Sequence, residues 1–324
     1  MTIQQLLKTA PVTTLLLISF IGLFVVQVLS GADANNPSTE MLIKWGANAL
    51  PFTMGDEPWR LVSSAFLHIG LMHLLFNGFA MYFFGQIAEP MFGSAKFLAL
   101  FLLAAIGGNL LNSYVTWQGI LDGNGQAGLS AGASGGIMGI GAALLVAAFF
   151  KISVNGLMLN LRSLLFIMGI NLVYGFAVPG IDNAGHIGGA VTGLIIASAF
   201  AIAYRRRRVI TQQNMPIPQH PYPIHGPSPY QTDAQNTYQT YEVNQSSDVD
   251  TSYPSDPNAE FDTSTLETNF STVHNTAISH KTQVKPSLFW ILLPWIVMLL
   301  ISVGFVWLWQ DIHYQIVEVL KTIE

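Results

Sequence analysis

Long apolar runs separated by short polar turns set the pattern of this chain. Seven such runs lie near residues 12–29, 71–87, 95–115, 132–150, 163–176, 185–204 and 288–309. A hydrocarbon core of ~30 Å takes about 17–25 helical residues, so the runs read as membrane spans. The fifth is the least regular, because Val178-Pro179-Gly180 closes it early and moves its expected start toward Leu159. The expected fold is therefore all-α and polytopic: a six-helix bundle within residues 1–208, then a C-terminal seventh transmembrane helix and a short outer tail within 286–324. Residues 209–285 differ in kind. Pro216-Ile217-Pro218, Pro221-Tyr222-Pro223 and Gly226-Pro227-Ser228-Pro229 lead into a stretch rich in Gln, Asn, Ser, Thr and Asp. Its apolar surface is too small to offset chain entropy, which predicts a disordered cytoplasmic linker.

Composition sharpens this picture. The 324 residues are 51% hydrophobic and 10% charged, where a soluble chain would carry roughly a quarter charged residues. Most of the chain is thus expected in the lipid bilayer. Lys8, Lys96, Lys151, Arg162 and Arg205-Arg206-Arg207-Arg208 fall on one side of the spans. Asp33, Glu40, Asp56, Glu57, Asp122 and Asp182 fall on the other, with Lys44 and Arg60 as exceptions. The bias of basic residues toward the cytoplasm puts the amino terminus and the arginine run inside. That run reads as a topology anchor rather than a nucleic-acid patch. Lys281 and Lys285 before the seventh span agree, and the carboxyl terminus is expected outside. The expected location is a bacterial inner (plasma) membrane. Ala32-Asp33-Ala34 resembles a signal-peptidase site, but the preceding run exceeds the about 7–15 residues of a signal core, so it reads as a retained span.

The connection over residues 30–70 is the long one. Its Trp45, Leu50-Pro51-Phe52 and Trp59-Arg60-Leu61 suit the lipid interface, so this loop is expected half in the membrane, with Arg60 bonding its carbonyls. His68 reads as a loop-packing residue. The absence of cysteine excludes disulfides, thiolate metal sites and a cysteine nucleophile. His220, His225, His274 and His280 read as solvent histidines of the linker, so neither a metal nor a cofactor is expected.

Three polar signatures interrupt the apolar runs: His73-Leu74-Leu75-Phe76-Asn77, Gly132-Ala133-Ser134-Gly135-Gly136 and Ala184-Gly185-His186-Ile187-Gly188-Gly189. Desolvating such groups costs several kcal/mol unless they find partners, so polar residues in a span point to function. Each falls near the start of a span that runs inward, which sets all three at similar depth. Ser134 opens a helix, where free backbone N–H groups suit a developing oxyanion. The run also fits G-x-S-x-G, but the hydrolase elbow needs a strand–turn–helix setting that a membrane helix lacks. Gly135/Gly139 and Gly189/Gly193 are small-xxx-small pairs, which let the fourth and sixth spans touch and bring His186 toward Ser134. Asp182 is expected at the loop surface, so the pair reads as a dyad, a triad staying open. His73 and Asn77, spaced i, i+4, share one helix face and would supply oxyanion donors. No charged residue lies near the midplane, which speaks against a transporter.

These residues resemble the rhomboid family of intramembrane serine proteases. The resemblance covers roughly residues 10–205 and rests on Trp59-Arg60, His73-x-x-x-Asn77, Gly85-x-x-x-Glu89, Gly132-x-Ser134-Gly135 and Gly185-His186-x-x-Gly189. It implies a rhomboid-like bundle with Ser134 as nucleophile and His186 as base. His73, Asn77 and the Ser134 backbone N–H would form the oxyanion hole, with Arg60 and Glu89 structural. Many members carry a tyrosine four residues after the serine, stacked on the histidine; here Met138 stands there. The seventh span resembles the six-plus-one arrangement of some rhomboids. The implied activity is cleavage of transmembrane protein substrates near the outer face of the bilayer. The competing expectation is a catalytically silent relative that binds or escorts membrane proteins.

Overall fold

The structure, a computed structural model, describes residues 3–125, 128–152, 159–177, 182–213 and 287–323. Helix α1 (Ile3–Thr9) leads through Ala10 into α2 (Pro11–Leu29). The first loop is a series of short elements: α3 (Thr39–Lys44), strand β1 (Asn48–Ala49), α4 (Leu50–Thr53), α5 (Arg60–Ser63) and a 3-10 turn (Ser64–Phe66). Long helices follow: α6 (Leu71–Phe92), α7 (Ser94–Leu121), α8 (Ser134–Phe149), α9 (Leu161–Ala177), α10 (Asn183–Gln213) and α11 (Leu288–Ile323). Strand β2 (Leu129–Ser130) pairs antiparallel with β1, Asn48 opposite Ser130. Apart from this two-residue ladder the architecture is all-α among the described residues.

Each of the seven apolar runs is a helix. Five are long and apolar enough to cross a membrane: α2, α6, α7, α10 and α11. Helices α8 and α9 have 16 and 17 residues. At 1.5 Å per residue they reach only about 24–26 Å, short of the hydrocarbon thickness. The chain is a multi-pass integral membrane protein. Four helices outrun their expected ends, α6 and α7 by five and six residues and α10 and α11 by more. Helix α10 continues through Arg205-Arg206-Arg207-Arg208 to Gln213, so residues 209–213 are helix rather than linker. Arginine is a good helix former, and the guanidiniums of Arg205 and Arg206 lie 5.5 and 5.6 Å from the ring centres of Phe150 and Trp290. Helix α11 continues past Trp309 to Ile323, because its Ile312 is fully buried beside Leu50, Met54, Leu110 and Trp117. The rest of the expected linker, with His220, His225, His274 and His280, lies outside the described residues.

Helices α2, α6, α7 and α8 build the main core around Phe20, Met81, Phe97, Phe101, Ile140 and Leu144, all with no exposed surface. The docking of α2 on α6 depends on one buried carboxylate. Pro11 at the start of α2 has no N–H to satisfy, but the next two N–H groups do. Glu89, 1% exposed, accepts from Val12 N (2.9 Å) and Thr13 N (2.7 Å), and from the hydroxyls of Thr13 (2.7 Å) and Ser94 (2.6 Å). It is an N-terminal cap delivered from another helix. A Cβ on Gly85, one turn earlier, would sit 2.5 Å from the Thr13 side chain, so the Gly85-x-x-x-Glu89 face is the seat of α2. Glu89→Ala leaves those donors buried without an acceptor and should cost about 3 kcal/mol. Thermal unfolding in detergent checks this: Glu89→Gln should lose less, and an unchanged midpoint for Glu89→Ala would refute the cap.

Candidate active site

The first loop is held shut from inside. Arg60, 5% exposed, donates from Nη1 to Ile43 O (2.6 Å) and Ala47 O (3.2 Å). Its Nε donates to Glu57 Oε2 at 2.6 Å, and its guanidinium lies 4.8 Å from the Trp59 ring centre. The side chain bonds loop carbonyls, as the sequence suggested. This loop in turn carries the segment ahead of α8. Asn109 of α7 donates to Ser64 Oγ (2.8 Å) and Leu61 O (2.9 Å), and Gly132 N donates to Ser64 O (2.9 Å).

Gly132 has φ +143°, a conformation that L side chains rarely adopt. A Cβ there would lie 2.6 Å from His73 Cε1, 2.9 Å from His73 Nε2 and 3.6 Å from Asn77 Nδ2. The structure thus brings His73 and Asn77 together against the loop that enters α8. Ile69 N donates to His73 Nδ1 (3.3 Å). With Nδ1 accepting, a neutral ring carries its proton on Nε2, the nitrogen that faces Gly132.

Ser134 is the first residue of α8, so its backbone N–H has no intrahelical acceptor. Helix α10 meets α8 through backbone. A Cβ on Gly189 would collide with Gly135 O, and one on Gly193 with Gly139 O. A Cβ on Gly135 would in turn lie 3.2 Å from Gly185 O. His186 stands in the first turn of α10, its N donating to Asp182 O (3.1 Å). Its Nδ1 is buried without a partner, and among the described residues no hydrogen bond joins Ser134 to His186. Met138 is buried in the main core. His73, Ser134 and His186 all fall within the first turn of their own helices.

Some site residues escaped the sequence reading. A small pocket is lined by Ser134, Gly132, Ser130, Asn109, Asp182 and Gly185. Asp182 was expected at the loop surface. Instead its carboxylate faces this pocket, accepting from Ser130 Oγ (2.6 Å) and Gly185 N (2.6 Å). Asn109 met the criterion applied elsewhere, an amide inside an apolar run, and Asp182 stands at a helix-capping position. Each carried a signal that could have found it.

The rhomboid domain family matches residues 55–203. Bacillus subtilis (strain 168) has a protein called rhomboid protease GluP that is 36% identical over 195 residues, 59% of this chain and 35% of that protein. Arabidopsis thaliana RHOMBOID-like protein 6, mitochondrial, is 33% identical over 162 residues, covering 49% of this chain and 50% of its own. Rhomboid protease AarA of Providencia stuartii is 28% identical over 212 residues, 60% of this chain and 74% of that protein. Over residues 55–203 the chain is thus similar to the rhomboid domain. It spans only a third to a half of the length of the first two relatives.

One buried group beside the site makes stability depend on pH. His68 is 1% exposed, lies with its ring centre 5.3 Å from that of Phe20 and 5.4 Å from that of His73, and has neither ring nitrogen paired. Burial, with His73 beside it, pushes its pKa from 6.5 down to about 3. Below pH ~6.5 the unfolded chain therefore binds a proton that the folded chain refuses, and stability falls as pH falls toward about 3. The melting point should drop less between pH 7 and pH 5 in His68→Phe than in the parent chain. Equal drops would show that His68 is not the source.

Proposed function

We propose that this protein is an intramembrane serine endopeptidase that cleaves membrane-anchored proteins near the outer face of the bilayer. One observation carries the reading: His73 and Asn77 meet at Gly132, two residues before Ser134 at the start of α8, and α8 packs through backbone against the helix that bears His186. In the reaction, Ser134 Oγ attacks the scissile carbonyl carbon while His186 takes the hydroxyl proton. The resulting oxyanion accepts from the Ser134 N–H, His73 Nε2–H and the Asn77 amide. His186 then gives its proton to the amine nitrogen, the C–N bond breaks, and an acyl group stays on Ser134. A water, deprotonated by His186, releases the acid.

Hydrogen-bonded helices hide their carbonyls from a nucleophile. The substrates are therefore transmembrane proteins whose helix unwinds readily near the outer face, through small or helix-breaking residues. The amino terminus lies in the cytoplasm and the carboxyl terminus outside, in a bacterial plasma membrane. The first loop and α9 are the elements that admit substrate and water. Residues 1–208 with the end of α10 form the catalytic domain, the residues from there to 285 a spacer and 286–324 the added span.

A second reading, a catalytically silent relative that binds or escorts membrane proteins, is favoured by the lack of a Ser134–His186 hydrogen bond and by the unpaired His186 Nδ1. Against it, catalytic hydrogen bonds in unliganded sites are often long and tighten only with substrate. Cleavage of a transmembrane reporter should stop with Ser134→Ala, and labelling of Ser134 by a serine-directed phosphonate should vanish with His186→Ala. Equal processing by the parent chain and Ser134→Ala would leave only the silent reading. Within the active chain, Asn77→Ala should lower kcat by about 10²-fold, because one oxyanion donor is lost.

A further inference from the structure

We infer that Asp182 is a positioning residue for this reaction, tying the helix that carries His186 to the segment that carries Ser134; the inference rests on the protease reading above. Its two carboxylate oxygens serve different partners. Oδ1 accepts from Gly185 N at 2.6 Å and so caps the first turn of α10, where a negative side chain also complements the helix dipole. Oδ2 accepts from Ser130 Oγ at 2.6 Å. Ser130 is buried in β2, opposite Asn48, and lies two residues before Gly132, whose N–H is held by Ser64. Among the described residues this is the only side-chain hydrogen bond joining residues 128–134 to residues 182–186.

The fit around the carboxylate is close. A Cβ on Gly185 would strike Asp182 Oδ2 and lie 2.7 Å from its Cγ, so only glycine leaves room for the carboxylate over the helix start. Gly185 O is itself wedged against α7, 2.5 Å from where a Cβ on Gly108 would be. The start of α10 is therefore fixed by backbone contact on one side and by Asp182 on the other. His186 follows Gly185 directly. Removing the carboxylate frees the turn that aims the imidazole, while the glycine contacts between α8 and α10 keep the bundle assembled. Asp182 touches Ser130 and the backbone rather than the reacting atoms, and it works through them.

The test uses the full-length chain in proteoliposomes with a transmembrane reporter, together with the rate of phosphonate labelling at Ser134. Asp182→Ala should lower kcat and the labelling rate in parallel by about 10–10²-fold, the scale of a misplaced catalytic group. KM should stay within about twofold, since uniform binding is untouched. Asp182→Asn, whose amide oxygen can still accept from Gly185 N, should recover most of the rate. Ser130→Ala should cost less than Asp182→Ala, and the double variant should be no slower than Asp182→Ala alone. Parent rates in Asp182→Ala overturn the inference, as does a loss confined to KM or equal loss in Asp182→Asn and Asp182→Ala. A parent chain that neither cleaves nor labels overturns the protease reading with it, and intact parent cleavage distinguishes the two failures.

Discussion

Backbone contact between α8 and α10 is the constraint on which the candidate site depends. Within lipid no hydrophobic force drives helices together, so their association relies on close packing. Gly135 and Gly139 on one helix face Gly189 and Gly193 on the other, and side chains at 189 and 193 would collide with carbonyls across the interface. Ser134 precedes Gly135 directly, and His186 lies one helical turn before Gly189. The separation of the two candidate catalytic groups is thus set by main chain, which has few ways to adjust. Side chains only trim their final orientation.

Around this contact, polar groups divide into saturated and unsaturated. Glu89, Arg60 and Asn109 are buried and hydrogen-bonded, each joining two segments apart in sequence. Burying them is tolerable because these hydrogen bonds offset their desolvation. The buried side-chain nitrogens without partners, among the described residues, belong to His68 and His186.

The seven helices were legible because apolar runs of this length have few alternatives in lipid. The Gly pairs were legible too, since small residues at spacing four mark a close interface. The first loop was not. Its α3, α4, α5 and β1 are two to six residues long, too short for periodicity to register, and Arg60 and Asn109 hold the loop by bonding the carbonyls of Ile43, Ala47 and Leu61. Asp182 was misread for a related reason: acidic residues between spans usually face water, and the hydroxyl of Ser130, fifty-two positions away, draws this one to the pocket. The length of α11 was missed because Ile312 finds its apolar partners in a distant loop.

That last partnership gives the seventh helix a physical role. Helix α4 ends at Thr53, and the final carbonyls of any helix lack intrahelical donors. Trp309 Nε1 of α11 donates to Thr53 O at 2.8 Å, and His313 Nδ1 lies 2.6 Å from Met54 O. The two rings stack, with centres 5.2 Å apart and planes 15° apart. Trp117 Nε1 of α7 donates to Gln315 Oε1 at 2.9 Å, closing the triangle between α4, α7 and α11. The loop so held carries β1, β1 pairs with β2, and β2 leads into Gly132 and Ser134. The added span therefore does more than anchor a chain end. It satisfies backbone groups that the six-helix bundle leaves open, and through the first loop it bears on the segment that presents the candidate nucleophile.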